Sequence, residues 1–425
     1  MAGLSDKQLA VSVRRELLEN ILPFWRRRTV DQRRGGFIGR MSNDLRVQDD
    51  APKGLILNAR ILWTFAAAYA YTQNEQDRTL ARRAYEYLLD CFLDTTDGGW
   101  FWELDPNGVL QDDKKKIYGQ AFCIYALAEY YRVFNDPTAL EYAIRTFDLV
   151  EGHARDSQYG GYFEVMSRDW QPCEDMRLSD KDLNEKKSMN NHLHLLEAYT
   201  GLVRVLLMGG SLKAGGLGDG LARGDPDHPQ AALEAATRCL RELVELFRRH
   251  ILNAEQTHFQ HFFDEAWTPR SGSYTFGHDI EGSWLLCEAA ETLGDERLLT
   301  EVRALAVKMA QASLAEGLDV DGGLFYEGKD GRIINPNKEW WPQAEAVVGF
   351  YNAWQLTGDN AFRAAAVRCW QFITDKVVDH EHGEWFWCLR PDGTPDPAQP
   401  KVSPWKCPYH NSRCCLEIIK RIYDL

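Results

Sequence analysis

The sequence predicts an all-α protein folded as an (α/α)6 barrel, a closed ring of six helix pairs with short glycine-aromatic hairpins between them. Three observations lead to this prediction. A short segment that joins glycines to aromatic residues recurs along the chain, at spacings of 61 to 63 residues in three of the intervals. Apolar helices alternate with amphipathic helices between these segments. Each apolar helix also begins with an unusual group of polar residues.

The recurring segment divides the chain into six repeats. It occupies residues 35–37, 97–102, 159–164, 321–327 and 382–387, and we assign a degenerate copy without glycines to residues 261–267. The longest interval fits two periods plus roughly 40 extra residues, which indicates an insertion. A glycine-rich stretch at about 209–229 accounts for it, and we expect this stretch to lie away from the polar helix ends. No linker divides the chain, so we predict a single catalytic domain over residues 1–425.

The helices between these segments are of two kinds. Helices rich in Ala and Leu are predicted at 55–71, 118–134, 189–207, 280–293, 343–356 and 411–422. Amphipathic helices, with Arg, Glu and Asp on one face, are predicted at 76–92, 137–155, 229–251 and 361–378. Helices that are apolar on most sides are buried, whereas amphipathic helices form an outer layer. Six inner and six outer helices close naturally into a barrel, and an open solenoid of helix pairs is the alternative.

Composition excludes several classes of partner. The net charge is −14 and the sequence pI is about 5.3, which argues against nucleic acid and anionic membranes. The amino terminus reads as an amphipathic helix, and no apolar run approaches the length of a membrane span. The ten cysteines form no C-x-x-C pair and are interpreted as reduced thiols in a cytoplasmic protein. Aromatic residues make up 12% of the chain and suit the stacking of sugar rings.

The stretch 187–197 contains the clearest polar pattern. Asn190, His194 and Glu197 follow the i, i+4, i+7 spacing of one helix face within an apolar helix. His192 lies about 200° away from His194 around the helix, so it is expected to point elsewhere. Taken alone, this stripe is equally consistent with a buried hydrogen-bond network that fixes helix packing.

Comparable polar groups start the other five apolar helices. Because the inner helices of a barrel run parallel, these ends converge on one mouth, which favours a ligand cavity over six separate structural networks. The six groups are Asn58 and Arg60; Tyr118 and Gln120; Asn190, His194 and Glu197; His278, Asp279 and Glu281; Lys338, Trp340, Trp341, Gln343 and Glu345; and Trp405, Lys406, Tyr409, His410, Asn411 and Arg413.

The residue types in this cavity restrict its chemistry. A histidine and a glutamate three residues apart occur twice, but no third metal ligand is identifiable and H-E-x-x-H is absent, so we predict no metal and no cofactor. Glu197, Glu281 and Glu345 could serve a glycosidase. Two of them, however, lie one turn from a histidine, where a carboxylate commonly orients the imidazole. His278 and His410, on different repeats, could flank a substrate as two acid/base groups, which suits inversion of a stereocentre by proton transfer.

Four segments resemble signature segments of the cellobiose 2-epimerase family, within the N-acylglucosamine 2-epimerase superfamily. They are residues 187–200, 277–281, 338–346 and 405–413, and the resemblance extends from about Asn58 to Arg413. It implies an (α/α)6 barrel and epimerisation at C2 of the reducing-end glucose of β-1,4-linked disaccharides. Cellobiose would give glucosyl-mannose, and lactose would give epilactose. The implied steps are ring opening, removal of the C2 proton, a cis-enediolate, rotation about C2–C3, and return of a proton on the other face.

The resemblance also implies roles for individual residues. His278 and His410 form the acid/base pair, and His194 assists ring opening. Arg60 stabilises the enediolate oxygen, as a fixed cation beside developing negative charge should. The residues implied in substrate binding are Tyr118, Asn190 and Glu281, which hold hydroxyls or orient the histidines; Trp341 and Trp405, which pack on the sugar rings; and Asp182 and Tyr326, which contact the non-reducing sugar.

Other functions remain open at this point. N-acylglucosamine 2-epimerase and mannose isomerase share the barrel, and the 405–410 segment favours the disaccharide enzyme over both. A carboxylate-dependent (α/α)6 glycoside hydrolase and a non-catalytic sugar-binding protein are further alternatives. The expected partner is a small-molecule β-1,4 disaccharide, bound by a monomer or weak homodimer. The preferred disaccharide, and the balance of epimerisation against aldose–ketose isomerisation, do not follow from the sequence.

Overall fold

The computed structural model describes residues 4–179, 182–209 and 228–423, and within them six helices line the interior of a ring. The glycine-rich insertion predicted at about 209–229 lies almost entirely outside the described residues. The inner helices are α3 (Leu55–Thr72), α5 (Ile117–Phe134), α7 (Met189–Gly209), α9 (Phe276–Leu293), α11 (Trp340–Thr357) and α13 (Tyr409–Tyr423). Each packs against the next, and α13 returns to α3. The ring is therefore closed, which confirms the (α/α)6 barrel and excludes the open solenoid.

The outer helices pack on the inner ones and are amphipathic. They are α1 (Asp6–Arg15) and α2 (Leu22–Arg28), joined by a π-helical segment (Glu16–Ile21), with α4 (Glu75–Tyr87), α6 (Pro137–His153), α8 (His228–Leu246), α10 (Glu296–Ala312) and α12 (Asn360–Phe372). Side chains of Ser5, Asn74, Asp136, Asp295 and Asp359 accept backbone N–H groups at helix starts, as N-caps do. No helix within these described ranges combines the length and the apolar character that crossing a membrane requires.

The predicted starts of three inner helices are late by two to four residues. α9, α11 and α13 begin at Phe276, Trp340 and Tyr409, whereas the apolar pattern predicted 280, 343 and 411. The first turns of these helices contain glycine, histidine, proline and tryptophan, which interrupt an Ala/Leu pattern. Their residues are nevertheless helical because the tertiary contacts of the barrel mouth outweigh local propensity.

Short antiparallel strands tie each repeat to the next at this mouth. The strand that precedes an inner helix pairs with the strand that follows the next hairpin. These pairs are β1 (Lys53–Gly54) with β2 (Glu103–Leu104), β4 (Lys115–Lys116) with β5 (Val165–Met166), β6 (Lys187–Ser188) with β7 (Phe262–Phe263), β8 (Tyr274–Thr275) with β9 (Glu327–Lys329), and β11 (Lys338–Glu339) with β12 (Cys388–Leu389). Strands β3 (Leu110–Asp112) and β10 (Arg332–Asn335) extend two of them.

A buried lysine–aspartate pair holds each glycine-containing hairpin. In the second repeat, Lys115 Nζ donates to Asp94 Oδ2 over 2.9 Å, and both side chains are at most 1% exposed. The hairpin turns through Gly98 at φ +74°, a conformation that favours glycine. Arg168 also pairs with Asp94, so removal of Asp94, rather than of Lys115, would leave a buried charge without its partner. The equivalent pairs are Lys53–Asp31, Lys187–Asp156, Lys338–Asp319 and Lys401–Asp379.

The fourth hairpin lies at residues 252–259, not at 261–267 as the sequence pattern predicted. Leu252 bridges Phe259 just as Leu93 bridges Trp100 in the second repeat. Asn253 replaces the aspartate, and its Oδ1 accepts the backbone N–H of Thr257 over 2.8 Å. Gln256, three residues after Asn253, adopts φ +59°, as Gly322 does with a positive φ three residues after Asp319 in the fifth hairpin. Without its glycines this copy left no recognisable signal, and the aromatic residues at 262–267 were mistaken for it.

The third residue after the start of an inner helix also accepts a backbone hydrogen bond from a hairpin, a contact that we call a hairpin lock. Part of each polar group is therefore structural. Gln120 Oε1 accepts the backbone N–H of Trp100 over 2.9 Å, and Gln343 Oε1 accepts that of Leu324 over 2.7 Å. His192 does the same in α7, where its Nε2 accepts the N–H of Tyr162 over 3.0 Å. Its Nδ1–H donates to the carbonyl of Ser188. His192 therefore points away from His194, as predicted.

This equivalence predicts that His192 can be replaced by glutamine but not by leucine. Glutamine fills the same position in α5 and α11 and can accept the buried N–H. His192→Leu would leave that N–H without a partner, at a cost of about 1–3 kcal/mol in the free energy of unfolding. Urea denaturation of the two variants measures the difference. Turnover of cellobiose, the activity that the family resemblance implies, should stay within about threefold of wild type in the folded His192→Gln protein. A stable His192→Leu variant would contradict the assigned lock.

Candidate active site

Two residues after the residue that bonds to the hairpin, each of the six inner helices contributes one residue to a buried and mostly polar layer. These residues occupy equivalent helix positions and are Arg60, Phe122, His194, Glu281, Glu345 and Arg413; each is at most 3% exposed. The guanidinium of Arg60 lies 4.3 Å from the ring centre of Phe122, whose ring is 4.8 Å from that of His194. Charges at this depth require partners. The charged members of this layer are therefore expected to form ion pairs.

Arg413 is the centre of these ion pairs. Its Nη2 donates to Glu281 Oε1 over 2.5 Å and to Glu345 Oε1 over 2.7 Å, and its Nη1 donates to Glu197. Burial lowers the pKa of Arg413, but the three carboxylates outweigh burial and raise it well above the ordinary value. The sequence pattern included Arg413 without giving it a role. The equivalence of its position with Arg60 and His194 was the signal that could have placed it in the layer.

His410 is the better supported of the two predicted acid/base histidines. Its Nδ1 lies 2.7 Å from Glu345 Oε1, so Nδ1–H donates to the carboxylate and Nε2 remains for proton exchange. Burial, together with the nearby charges of Arg60 and Arg413, holds the pKa of His410 well below 6.5. A neutral imidazole of this kind can accept a proton at neutral pH.

His278 has a different partner from the one expected. Its Nδ1 lies 2.5 Å from the hydroxyl of Thr275, whereas the predicted neighbour, Glu281, bonds to Arg413. Burial lowers the pKa of His278 well below 6.5, and the nearby His261, His194 and His410 lower it further. The pairing of Glu281 with His278 that the spacing suggested is not formed here, because the Glu281 carboxylate bonds to Arg413 and Thr275 contacts His278 Nδ1.

His194 and Glu197 form the pair that their spacing predicted. His194 Nδ1 lies 3.0 Å from Glu197 Oε2, and the other carboxylate oxygen of Glu197 accepts from Tyr409 and Arg413. Burial raises the pKa of Glu197, but Arg413 and these hydrogen bonds outweigh burial and hold it at about 2. Glu197 is therefore a fixed anion that orients His194.

Arg60 is a buried cation without a matching carboxylate. Its Nη2 donates to Tyr118 Oη over 2.8 Å, and its Nη1 lies 3.9 Å from Cys407 Sγ. Its Nε is buried and makes no hydrogen bond, and no salt bridge to Arg60 occurs among the described residues. Burial opposes its charge, yet Tyr118, Cys407 and Tyr409 keep its pKa above the ordinary value. The site therefore holds a permanent positive charge that a bound anion could neutralise.

Two tryptophans form the aromatic walls of the site. The ring of Trp341 lies 4.7 Å from that of His278 and 5.6 Å from that of His410, so one indole contacts both histidines. Trp405 lies 5.7 Å from Tyr118 and borders a cavity of about 280 Å³. His278 and Trp405 are only half-buried, in contrast to His410. The site is therefore open to solvent beside His278 and Trp405.

The remaining predicted residues lie around the opening. Asn190 is half-buried, and its Oδ1 has no hydrogen-bond partner. The ring of Tyr326 lies 6.4 Å from that of Trp341. Asp182 accepts hydrogen bonds from the backbone and hydroxyl of Ser179 over 2.7 and 2.9 Å, and none of its described contacts joins it to the histidines. An unpartnered buried amide oxygen such as that of Asn190 is suited to a ligand hydroxyl.

The cluster of possible metal ligands in this site is already occupied by a cation. One ligand atom each from Glu281, Glu345 and His410 lies within 4.8 Å of the others. The guanidinium of Arg413 bonds to both carboxylates and supplies the positive charge that a metal ion would bring.

The same bonds count against a glycosidase, because Glu281 and Glu345 share one guanidinium group instead of flanking a sugar. Burial, and then repulsion from Glu345, raise the pKa of Glu281 to about 7.

Comparison with known proteins identifies relatives along nearly the whole chain. The sequence profile of the family described as N-acylglucosamine 2-epimerase (GlcNAc 2-epimerase) matches residues 36–202 and 230–414. The cellobiose 2-epimerase of Bacteroides fragilis is 43% identical over 415 residues, which cover 97% of this chain and 99% of that protein. The structure of cellobiose 2-epimerase from Bacillus thermoamylovorans superposes with a TM-score of 0.87 at 35% identity, over 98% of this chain and 100% of that one. A D-mannose isomerase from Marinomonas mediterranea is 23% identical, over 91% of this chain and 92% of that protein.

Proposed function

The chain belongs to the N-acylglucosamine 2-epimerase family and is an isomerase that acts on carbohydrates, and from this premise we propose that it epimerises β-1,4-linked disaccharides at C2 of the reducing-end glucose. Cellobiose gives glucosyl-mannose, and lactose gives epilactose. The observation that carries the proposal is the placement of His278 and His410 against one indole ring. If a sugar ring packs on this indole, two neutral imidazoles beside it can exchange protons with opposite faces of the same carbon.

The reaction starts from the open-chain aldehyde, with His194 assisting ring opening. One of the two histidines removes the C2 proton, and the electron pair of the C2–H bond forms the enediolate while the carbonyl oxygen becomes negative. After rotation about C2–C3, the other histidine returns a proton to the opposite face. The carbon skeleton keeps its oxidation state, so the scheme needs no redox cofactor.

Arg60 stabilises the enediolate in this scheme. Its guanidinium is buried beside Tyr118 and lacks a carboxylate partner among the described residues, so the negative oxygen is the charge it can pair with. Preorganised charge of this kind acts most strongly where water is excluded. Glu197, by contrast, is saturated by Arg413, Tyr409 and His194, which leaves it an orienting group.

The other residues around the opening bind the sugar. Trp341 and Trp405 pack on sugar rings, while Tyr118 and Asn190 bind hydroxyl groups. Glu281 holds Arg413 and lies 3.9 Å from His410 Nδ1, so it acts on the substrate through these side chains. Asp182 and Tyr326 are assigned to the non-reducing sugar, which lies towards the solvent side.

The proposal is tested by incubating the protein with cellobiose in D2O in the presence of EDTA and following the products by NMR. The expected product is glucosyl-mannose with deuterium at C2. Release of glucose would indicate a hydrolase, a ketose product would indicate an isomerase like the mannose enzyme, and unchanged cellobiose would indicate binding alone. Loss of turnover on addition of EDTA would contradict the metal-free scheme. N-acetylglucosamine and mannose, tested in parallel, separate the disaccharide enzyme from its monosaccharide relatives.

A further inference from the structure

His278 differs from the other two histidines of the site in what its Nδ1 contacts. His410 Nδ1 and His194 Nδ1 each contact a glutamate, at 2.7 and 3.0 Å. His278 Nδ1 instead contacts the Thr275 hydroxyl at 2.5 Å. A carboxylate can only accept a hydrogen bond, whereas a hydroxyl can donate or accept. The tautomer of His278 therefore depends on the direction of the Thr275 hydroxyl.

His261 provides an acceptor towards which the Thr275 hydroxyl can point. Its Nε2 lies 3.2 Å from the backbone nitrogen of Thr275 and 3.3 Å from the Thr275 hydroxyl oxygen. A backbone N–H can only donate, so His261 Nε2 is an acceptor without a proton. Burial lowers the pKa of His261 to about 4, which keeps the ring neutral at pH 7. Nε2 has one in-plane lone pair, which the backbone N–H and the Thr275 hydroxyl share in a three-centre hydrogen bond, so the hydroxyl has an acceptor on this side.

The consequence for His278 follows from the single hydroxyl hydrogen. When Thr275 donates to His261, its oxygen can accept from His278, whose one ring proton then sits on Nδ1. Nε2 of His278 is left with a lone pair and can take a proton. The same bond persists when Nε2 is protonated, because an imidazolium carries hydrogen on both nitrogens. The opposite hydroxyl direction would put the only proton of neutral His278 on Nε2 and remove the base.

We propose that Thr275 and His261 are positioning residues, which hold His278 as the Nδ1–H tautomer so that Nε2 exchanges the proton at C2. This inference rests on the proposed epimerase function. The two bases are also unequal. Among the described residues, the groups that face His278 are Thr275, His261, His194, His410 and the indole of Trp341, and none of these is a carboxylate. The His278 imidazolium is therefore held less tightly than that of His410, which has Glu345.

The principal test compares Thr275→Val with Thr275→Ser. Valine keeps the branched shape of threonine but lacks the hydroxyl, whereas serine keeps the hydroxyl. Thr275→Val is expected to lower kcat by about 10–100-fold, the size of effect seen when an orienting partner is lost, with KM within about threefold. Thr275→Ser should retain kcat within about threefold. A Thr275→Val variant with wild-type kcat would overturn the proposal.

Nitrogen-15 NMR of histidine-labelled protein reads the tautomer directly. The His278 resonances are assigned by their loss in His278→Asn. In the wild type, Nδ1 should be protonated and Nε2 unprotonated at pH 7, and Thr275→Val should shift His278 towards the Nε2–H form. A wild-type His278 with its proton on Nε2 would overturn the inference. Because this readout needs no turnover, it is separate from failure of the proposed function, which would show as an inactive wild type.

Variants of His261 provide the matched control. Glutamine can accept from Thr275 through its side-chain oxygen, whereas leucine cannot. His261→Gln should keep the Nδ1–H tautomer of His278, and His261→Leu should lose it and lower kcat as Thr275→Val does. The double variant Thr275→Val/His261→Leu should be no slower than the slower single variant, because both residues act through one hydroxyl. Independent, multiplying losses would contradict the chain of contacts.

Discussion

Asparagine in place of His410, or of His278, is expected to lower the kcat of cellobiose epimerisation by about two to four orders of magnitude, the usual contribution of an essential acid/base group. In the proposed mechanism each histidine exchanges a proton with one face of C2, and asparagine cannot take up that proton. The loss should appear mainly in kcat, because Trp341 and Trp405 remain to bind the sugar. Initial rates over a range of cellobiose concentrations separate the two parameters.

A control is needed to separate lost chemistry from lost folding. His192→Gln changes another buried histidine of the same mouth, and its partners are the backbone groups of Tyr162 and Ser188 rather than the site. It should keep activity within about threefold, while the His278 and His410 variants keep the wild-type circular dichroism and melting behaviour. Near-normal turnover in either of those two variants would remove that histidine from the mechanism.

Methionine in place of Arg413 is expected to lower the free energy of unfolding by about 3–5 kcal/mol, the cost of leaving buried charges unpaired. Arg413 is the shared partner of Glu197, Glu281 and Glu345, and each of these side chains is under 4% exposed to solvent. Removal of Arg413 would therefore leave three buried carboxylates without the cation that pairs with them. Urea denaturation at pH 7.5 measures the loss. Activity should fall as well, because Glu345 and Glu197 would no longer be held against His410 and His194.

The loss in Arg413→Met should depend on pH in a definite direction. Burial and Glu345 already raise the pKa of Glu281 to about 7 in the folded protein, and loss of Arg413 would raise it further. A folded-state pKa above the unfolded value lowers stability as pH rises between the two values. The deficit should therefore be smaller at pH 5 than at pH 8. Arg33→Met is the control, because Arg33 pairs with Asp49 on the surface and should not change the melting temperature measurably. An equal deficit at both pH values would contradict the charge-based explanation.

The barrel was predictable because its repeat is visible in the sequence. Five of the six hairpins turn through glycine and each inner helix is apolar on most sides, so both leave a regular signal at intervals of about 62 residues. The fourth hairpin was misplaced because Asn253 and Gln256 satisfy the same turn without glycine. The first turns of α9 and α11 were missed because Gly277 and Pro342 are poor helix formers in isolation.

The sequence predicted contacts within one helix of the candidate site but not contacts between elements. Spacing along one helix placed His194 against Glu197, and the structure has that pair at 3.0 Å. The partners of His278 could not be read in this way, because His261 precedes it by 17 positions and belongs to a loop before β7. The separation of hairpin locks such as Gln120 from site residues such as Tyr118 likewise depends on which direction each side chain takes.

In the proposed mechanism two different histidines serve the two faces of C2, and solvent exchange in the single variants tests this assignment most directly. His278→Asn and His410→Asn are each incubated in D2O with cellobiose and, separately, with glucosyl-mannose, and hydrogen at C2 is followed by NMR. The remaining histidine can still remove the C2 proton on its own face. After exchange with D2O, it returns a deuteron to that same face. Each variant should therefore place deuterium at C2 of one epimer without forming the other, and the two variants should act on opposite epimers. Exchange of the same epimer by both variants, or continued epimerisation by either, would contradict the two-base account.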